Sequence, residues 1–490
     1  MLDFVPDIGI LEHRCRRIGR PIHKCARQLS ARGSLTSAVR VLLEIRIHPG
    51  IADISDVTLN LNTVYLRPHP CYSQPVPRAG WVKPESDQRL SDHISLGVLT
   101  RVFPPEVVDE ILDQCGRLER RHRLLPARVV VYYVLGLALF STSSYEEVMR
   151  MLVSGHSWAS GWAQEWTVPT KAALFQARKR LGPEPLQKLY SRVAVPLANA
   201  GVAGDFYRSW HLVSIDGLCL DLPDTSSNVE RFGRPPSSRG DGRGGAFPQI
   251  RVLGLAECGS HAIIDAALGP YSTGEQTLAE EILRSLHPGM LMLADRGFFS
   301  YTLWDKAHAT GADLLWRVKS NAVLPVEKRY PDGSFASHVY PGTKARRNDT
   351  DGIAVRVIEY SLKATVAGAD QAVEPDDAAE ALTYRLLTTI TDPDAAPGWE
   401  LAELYFQRWE IESAFGELKT HQRGPGVVLR SKLPDGVLQE VYGYLCVHYA
   451  IRWLMHSAAT DSGRDPDRLS FTRSLRAARR TTASHPGFSP

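Results

Sequence analysis

The sequence lacks a charge excess of either sign. Its 57 lysine and arginine residues face 54 aspartate and glutamate residues, which leaves a formal net charge of only +3. Nucleic-acid binding therefore cannot be argued from bulk charge. General disorder is excluded, because 43% of the residues are apolar and only 23% are charged. The 490 residues predict about two to four domains, at roughly 150 residues for each domain.

Paired cysteines and long apolar runs are also missing. The seven cysteines are odd in number and widely separated, and none of them forms a Cys-x-x-Cys motif. This disfavours a disulfide framework and a zinc site, and it favours a reducing cell interior. The longest apolar run, residues 129–140, is too short to span a bilayer and predicts a buried helix. The first ten residues include acids and a proline, so they predict no secretory signal.

Residues 1–90 differ from the rest of the chain. Basic clusters alternate there with short apolar pieces, without sustained helical or strand periodicity, and a proline-rich stretch follows. We predict that this segment is a poorly structured leader. Since a GTG start codon is read as valine inside a gene, one hypothesis places the native start near Val82.

The sequence becomes orderly from residue 91 onwards. An apolar stripe after Pro105, a capping box of Ser144 with Glu147, and the N-cap residue Thr170 predict successive helices. We therefore assign residues 91–205 to a helical N-terminal domain.

An α/β pattern follows the helical region. Three apolar runs with strand-like alternation predict antiparallel strands, and a helix, a strand, a helix and a strand come next. We assign residues 206–320 and 396–457 to the two parts of this α/β core. Residues 321–395 predict a β-rich insertion between them, and residues 458–490 a basic C-terminal tail.

Two aspartates stand out by their context in the α/β core. Asp216 lies inside an apolar strand, where a carboxylate is costly unless it is paired or binds a cation. Asp295 follows the apolar run 290–294, and ligand sites in open α/β sheets gather at such strand ends. For each aspartate taken alone, a turn or salt-bridge role is about as well supported as a functional one.

Glu412 is singled out by its spacing on a helix that we predict over residues 399–421. At about 100° per residue, Tyr405, Arg408, Glu412 and Lys419 fall within roughly a 60° arc. An ordinary amphipathic helix explains a charged face, but it does not by itself select these four residue types over some four turns.

A carboxylate cluster without histidine or cysteine suits hard cations. Mg²⁺ and Mn²⁺ prefer oxygen ligands, and two such ions about 3.5–4 Å apart stabilise both the attacking and the leaving oxygen of a phosphoryl displacement. Tyrosine, arginine and lysine side chains nearby hold phosphates. The residues therefore predict metal-assisted cleavage or transfer of a phosphodiester.

The same residues resemble a known family. The four residues of the patterned helix have the spacing of the Y-R-E-K signature of DDE transposases of insertion-sequence family four. The segments Ile-Asp-Gly around Asp216 and Leu-Ala-Asp-Arg-Gly-Phe around Asp295 resemble the family's two catalytic aspartate blocks. Residues 103–148 are similar to its helical N-terminal domain, so the resemblance covers residues 91 to about 480.

This resemblance implies a fold and a reaction. The fold would be an RNase H-like mixed sheet flanked by helices, with the β-rich insertion before the catalytic glutamate and a helical DNA-binding domain at residues 91–205. Asp216, Asp295 and Glu412 would be catalytic and would bind two Mg²⁺ ions, with Mn²⁺ as a substitute. Water would attack at the element end, and the freed 3′-hydroxyl would attack the opposite strand or a target strand.

The resemblance also implies partners. Tyr405, Arg408 and Lys419 would contact DNA phosphates. The substrates would be double-stranded DNA at the element's terminal inverted repeats and at the target, and the enzyme would act as a homodimer in a synaptic complex. A cytoplasmic, nucleoid-associated location in a bacterium follows, without membrane contact.

Two other functions stay open at this point, a DNA nuclease without strand transfer and a non-catalytic DNA-binding remnant of a mobile element. The leader at residues 1–90 has no counterpart in the family, and relatives often continue beyond the basic run at 473–480. Basic residues at 117–128 and 231–251 fit DNA backbone contacts about as well as a solvated surface.

Overall fold

Six helices lie between residues 97 and 193 in the part of the chain that the structure describes. The computed structural model describes residues 40–47, 97–118, 125–159, 169–199, 202, 204–236, 245–367 and 382–484. The predicted N-caps are present, since Thr170 Oγ1 accepts a hydrogen bond from Ala173 N at 3.3 Å, and Ser144 Oγ accepts one from Glu147 N at 3.2 Å. The six helices are α1 (Gly97–Val102), α2 (Pro105–Gln114), α3 (Ala127–Leu139), α4 (Tyr145–Ala159), α5 (Lys171–Leu181) and α6 (Glu184–Val193).

One mixed sheet forms the centre of the described structure. The strands that the sequence predicts as the α/β core appear in the predicted order, with helices between them. They are β2 (Phe206–Tyr207), β3 (Trp210–Asp221), β4 (Gln249–Glu257), β5 (Ile263–Pro270), β6 (Met290–Ala294) and β7 (Asp313–Val318). The helices are α7 (Ser226–Phe232), α8 (Glu275–Ile282) and α9 (Tyr301–His308).

The strand order identifies the fold class. Strands run β5-β4-β3-β6-β7 across the sheet. The pairs β5–β4 and β4–β3 are antiparallel, whereas β3–β6 and β6–β7 are parallel. Strands β6 and β7 carry apolar, largely buried side chains, as expected for parallel strands that are covered on both faces. This mixed sheet with flanking helices confirms the expected RNase H-like α/β fold.

The segment that we predict as a β-rich insertion extends the same sheet. Its elements are β8 (Lys328–Arg329), β9 (Phe335–Val339), α10 (Thr343–Asn348), β10 (Ile353–Ala367) and β11 (Leu382–Thr388). Strand β11 pairs antiparallel with β7, so the order continues β7-β11-β10-β9-β8. The acidic, alanine-rich loop predicted at 367–381 lies almost entirely outside the described residues.

Only one piece of the predicted leader is described. Residues 40–47 form strand β1 (Arg40–Ile47), which pairs antiparallel with the second half of β10. The prediction of a segment without strand structure is therefore wrong for these eight residues. The rest of the prediction for residues 1–90 lies outside the described residues.

The C-terminal part is helical. The helix predicted over 399–421 changes pitch three times: α11 (Gly398–Leu404) leads into a 3₁₀ turn (Tyr405–Trp409), then α12 (Glu410–Gly416) and a π-helical turn (Glu417–Gln422). The prediction of one regular helix is thereby corrected. Two further helices are α13 (Pro434–Asp461) and α14 (Phe471–Ser484), and the second lies within the predicted tail.

Helix α13 joins the N-terminal helices to the sheet. It packs against α3, which is buried along almost its whole length. The contact is close because Gly443 has no side chain: a Cβ there would lie 3.1 Å from the side chain of Val134. None of the helices in the described ranges is long and apolar enough to cross a membrane.

Candidate active site

Asp216 lies near the middle of β3 and is half-buried. Its Oδ1 accepts a hydrogen bond from Gly217 N at 2.8 Å. Glycine at that neighbouring position leaves room for the side chain of Glu275, since a Cβ there would lie 2.9 Å from its carboxylate. Burial raises the pKa of Asp216 to about 6, opposed by the positive charge of Arg408 and reinforced by Glu275 and Asp295. Asp216 therefore belongs to a group of acids that repel one another.

The parallel register of β3 and β6 brings the two aspartates together. Ser214 pairs with Leu293, and each aspartate lies two residues further along its own segment. Asp295, the first residue after β6, is buried with 7% of its surface exposed. The aspartates that the sequence placed in separate motifs are thus neighbours at one point of the sheet.

The helical segment carrying Glu412 is held on the sheet by an aromatic side chain. Gly254 of β4 lies directly opposite Asp216, and the buried ring of Phe415 packs onto it. A Cβ on Gly254 would lie 2.8 Å from Phe415 Cζ. Because Glu412 precedes Phe415 by less than one turn of α12, this contact brings Glu412 to the level of Asp216. The carboxylate of Glu412 is 40% exposed.

Arg408 is the common neighbour of the three acids. Its guanidinium is almost fully buried, and Nη1 lies 3.5 Å from Glu412 Oε1. Burial alone would lower the pKa of Arg408, but Tyr405, Asp295, Glu412 and Asp216 together raise it well above its ordinary value. The guanidinium also stacks on the ring of the adjacent tryptophan, 4.3 Å from its centroid. Arg408 is thus permanently charged and partly neutralises the carboxylate cluster.

Tyr405 ties the helical segment to the end of β6. Its buried hydroxyl donates a hydrogen bond to the carbonyl of Ala294 at 3.2 Å, one residue before Asp295. That hydrogen bond gives Tyr405 a structural role in the fold. A phosphate contact by the same hydroxyl stays a prediction.

Lys419 is exposed on the π-helical turn. Its positive charge opposes the rise that burial causes in the pKa of Cys219, three residues beyond Asp216 on β3. The structure therefore brings four of the predicted site residues together around Arg408, namely Tyr405, Asp216, Asp295 and Glu412, and it places Lys419 within electrostatic range of the strand that carries Asp216.

Sequence reasoning missed two charged residues at this site. Arg317 of β7 has Nη1 3.8 Å from Asp295 Oδ1 and stacks on Tyr384 at 4.3 Å. Glu275 at the start of α8 covers Gly217 and pairs with Arg251 at 3.1 Å. An arginine within an otherwise apolar strand was a usable signal for Arg317. Nothing local distinguishes Glu275 from any acid in a first helical turn.

The donor chemistry of the cluster fits a hard divalent cation. All three predicted ligands are carboxylates, which are ligands that hard divalent cations prefer. Burial raises the pKa of Asp216, and the negative charges of Glu275 and Asp295 add to the rise, so a bound cation would favour its ionised form. Their arrangement is not that of a closed metal site: among the described residues, no group of three or more histidine, cysteine, aspartate or glutamate side chains is placed to hold an ion. Glu412 is paired with Arg408 instead.

Comparison with known proteins finds related transposases. A family model described as the insertion element 4 transposase N-terminal region matches residues 93–191, and the transposase DDE domain model matches residues 212–449. The transposase InsG of Escherichia coli K12, for insertion sequence element IS4, is 27% identical over 392 residues, which are 79% of this chain and 83% of that protein. The putative transposase InsZ of the same strain is 26% identical over 267 residues, 54% of this chain and 83% of that protein.

A solved structure is also similar in part. The cryo-EM structure of the piggyBac transposase synaptic complex with hairpin DNA aligns with a TM-score of 0.41 at 13% identity, over 81% of this chain and 82% of that chain. The two family models lie in order along the chain, and the DDE domain match spans Asp216, Asp295 and Glu412. The chain therefore belongs to the DDE transposases of insertion-sequence family four, which are enzymes of DNA transposition.

Proposed function

We propose that Asp216, Asp295 and Glu412 are the catalytic residues with which this transposase cuts DNA at the ends of its own insertion element and joins those ends to target DNA. The observation that carries the proposal is their shared electrostatic interaction with one buried guanidinium, which lies 3.5 Å from Glu412. Three acids from β3, the end of β6 and α12 all raise the pKa of Arg408. Carboxylates gathered from three separate elements around one cation indicate a site and not a chance surface cluster.

The three carboxylates would hold two Mg²⁺ ions, for which Mn²⁺ would substitute. Such ions activate a water or hydroxyl nucleophile and stabilise the leaving oxygen in phosphoryl transfer. The chain's own contribution is to hold the three carboxylates in position. Asp216 and Asp295 are held by the parallel β3–β6 pairing, and Glu412 by the packing of Phe415 on Gly254.

The basic residues of the segment would bind the DNA backbone. Arg408 lies at the carboxylates, and Lys419 is exposed further along β3, so a strand crossing the site would meet both charges. Arg317 beside Asp295 adds a third cation on the opposite side. Together with the predicted phosphate contact of Tyr405, these residues would hold the element end against the carboxylates.

The larger assembly belongs to the same proposal. The helical region at residues 91–205 would bind the terminal inverted repeats, and the catalytic core the cleavage site. Two copies would bring two ends together in a synaptic complex. A reaction on chromosomal DNA would place the enzyme in the bacterial cytoplasm, at the nucleoid.

The experiment is cleavage of linear DNA that carries the inverted repeats flanking the gene. Wild-type protein with Mg²⁺ should nick the element end and join it to a plasmid target. The isosteric variants Asp216→Asn, Asp295→Asn and Glu412→Gln should each lose at least 10³-fold in rate, on the order expected for loss of a group that acts in the transition state. Each variant should still bind the end DNA.

A matched control separates catalysis from general loss of charge. Asp221→Asn removes an acid from the same strand, five residues beyond Asp216, where the carboxylate accepts a hydrogen bond from Gln249 at 2.7 Å. This variant should cut DNA at the wild-type rate. Full activity of any one of the three active-site variants would remove that residue from the catalytic set. Cutting without joined products would establish a nuclease in place of a transposase.

A further inference from the structure

Two acids on the helical segment point away from the carboxylate cluster. Glu410 and Glu417 lie on either side of Glu412 in the sequence, and they are mostly buried on the face opposite to it, with 18% and 13% of their side chains exposed. Glu417 is also the first residue of the π-helical turn that carries Lys419. Their burial needs an explanation, because a carboxylate is costly to bury without partners.

Glu417 is paired with two residues of α13. Arg452 Nε donates to Glu417 Oε2 at 2.9 Å, and a second guanidinium nitrogen contacts the other carboxylate oxygen. His448 Nε2 lies 3.2 Å from Glu417 Oε2. Burial alone would raise the pKa of Glu417, but Arg452 and His448 lower it to about 2. The carboxylate is therefore ionised, and it is bound by both Arg452 and His448.

Glu410 is connected to the same arginine through His261. This histidine lies in the β4–β5 turn with a positive φ of 55°. Its Nδ1 accepts a hydrogen bond from Arg452 at 2.6 Å, and its Nε2 lies 2.8 Å from Glu410 Oε2. Arg452 thus joins α13, the β4–β5 turn and both acids of the helical segment. We name these five residues the buried bracket: Glu410, Glu417, His261, His448 and Arg452.

The bracket acts at two points that are two turns apart. A helix attached at Glu410 and again at Glu417 cannot rotate about its axis or slide along it between these points. Glu412 lies between them on the opposite face, where its Oε1 is 3.5 Å from Arg408 Nη1. The change from α to π pitch begins at Glu417, where Arg452 binds, and π turns are rare and frequently lie at functional sites.

We propose that the buried bracket sets the rotation of the catalytic helical segment and so positions Glu412 and Lys419, with Arg452 as the central positioning residue. The inference rests on the proposed catalytic role of Glu412. It explains why charges are retained here, since apolar residues of similar size in place of a buried ion pair often give equal or greater stability.

The test removes both charges of the central pair at once. Removing one partner alone leaves an uncompensated buried charge and risks unfolding. The double variant Glu417→Gln/Arg452→Met keeps the side-chain volumes close to those of the wild type and removes both charges of the Glu417–Arg452 pair. The full-length protein is compared with wild type in thermal unfolding, affinity for end DNA, single-turnover cleavage, and Mn²⁺ binding by titration calorimetry.

The double variant should unfold within a few degrees of wild type and bind end DNA within about twofold, while its cleavage rate falls at least tenfold and its Mn²⁺ affinity at least threefold. A bracket that only stabilises the fold predicts wild-type cleavage and wild-type Mn²⁺ affinity, and that result would overturn the proposal. As a matched control, Asp265→Asn/Arg284→Met removes a pair with a 2.7 Å contact that has a buried carboxylate on β5. It should leave both quantities unchanged.

A milder variant tests the proposal if the double variant does not fold. His261→Asn keeps a residue that tolerates positive φ but cannot span from Arg452 to Glu410. It should slow cleavage and weaken Mn²⁺ binding in the same direction, and unchanged values would refute the bracket. If wild-type protein does not cleave, the proposed function fails, and the Mn²⁺ titrations still decide whether the bracket positions Glu412.

Discussion

A methyl group added at Gly254 should displace helix α12, which carries Glu412. Gly254 lies opposite Asp216, and its alanine Cβ would lie 2.8 Å from Phe415 Cζ and 3.0 Å from Cε1. Ordinary contact begins at 3.4 Å, so the ring must retreat by 0.6 Å (3.4 − 2.8). Because the ring is buried, with 6% exposed, it cannot swing into solvent. The retreat must be taken up by α12, which carries Glu412.

The expected magnitudes follow from that shift. Overpacking a core costs about 1–3 kcal/mol, which lowers the melting temperature by a few degrees. Misplacing a catalytic group by about 1 Å costs on the order of 10²-fold in rate, so a shift of roughly half that size should cost about tenfold. Affinity for end DNA should change by less than about twofold, since no phosphate contact is altered. Single-turnover cleavage with Mg²⁺, together with thermal unfolding, measures both effects.

Gly416→Ala is the matched control for this prediction. It adds the same methyl to the same helix, one residue beyond Phe415, where no atom lies within 4 Å. It should cleave at the wild-type rate and gain about 0.5–1 kcal/mol of stability. Adding Phe415→Leu to Gly254→Ala should restore part of the lost rate. A wild-type cleavage rate for the single variant Gly254→Ala would refute the view that the packing of Phe415 on Gly254 positions Glu412.

Three further predictions concern the rest of the molecule. Burial raises the pKa of Asp205 from 3.8 to about 6, so native stability falls as pH rises through this window, by up to about 3 kcal/mol. Asp205→Asn should therefore raise the melting temperature at pH 8 and not at pH 4, and equal shifts at both pH values would contradict this assignment. Arg356 is fully buried and pairs with Asp332 at 2.6 Å. Arg356→Met should therefore destabilise the protein by about 3–5 kcal/mol, measured as a large drop in melting temperature. A drop of under two degrees would show that the pair is dispensable. Affinity for end DNA should fall steeply as the salt concentration rises in a gel-shift titration. Lys419→Gln should reduce the slope of log affinity against log salt concentration by about 1. An unchanged slope would show that Lys419 does not contact a phosphate.

Local signals predicted the parts of the fold that depend on neighbouring residues. The capping residues Thr170 and Ser144 lie where the sequence places them, because a side-chain hydroxyl three residues before a backbone N–H is itself a local motif. The strand Met290–Ala294 was predicted to the residue, since a buried parallel strand is a short apolar run.

Features that are set by tertiary contacts could not be predicted from the sequence. The π turn at Glu417 coincides with a buried arginine 35 positions away, and no periodicity within residues 399–421 records that partner. Strand β11 joins β7 through backbone hydrogen bonds that any extended segment could make, so the sequence indicated strands in the insertion without indicating their place in the central sheet.

The candidate site was predictable in composition but not in arrangement. Spacing gathered Tyr405, Arg408 and Glu412 on one segment, and family blocks supplied the two aspartates. The same reasoning assumed a constant 100° per residue as far as Lys419, whereas the segment changes pitch between Tyr405 and Lys419. Arg317 was missed because it reaches Asp295 across neighbouring strands.

The most direct test of the proposed site is a calorimetric titration of Mn²⁺ into wild-type protein and into Asp295→Asn. Asp295 is the buried member of the carboxylate cluster, and the amide removes its charge without changing its size. If the three carboxylates hold the catalytic ions, wild-type protein should bind Mn²⁺ and Asp295→Asn should bind it at least tenfold more weakly, while Asp221→Asn matches wild type. Equal Mn²⁺ affinity in wild type and Asp295→Asn would contradict a metal-dependent site at these residues.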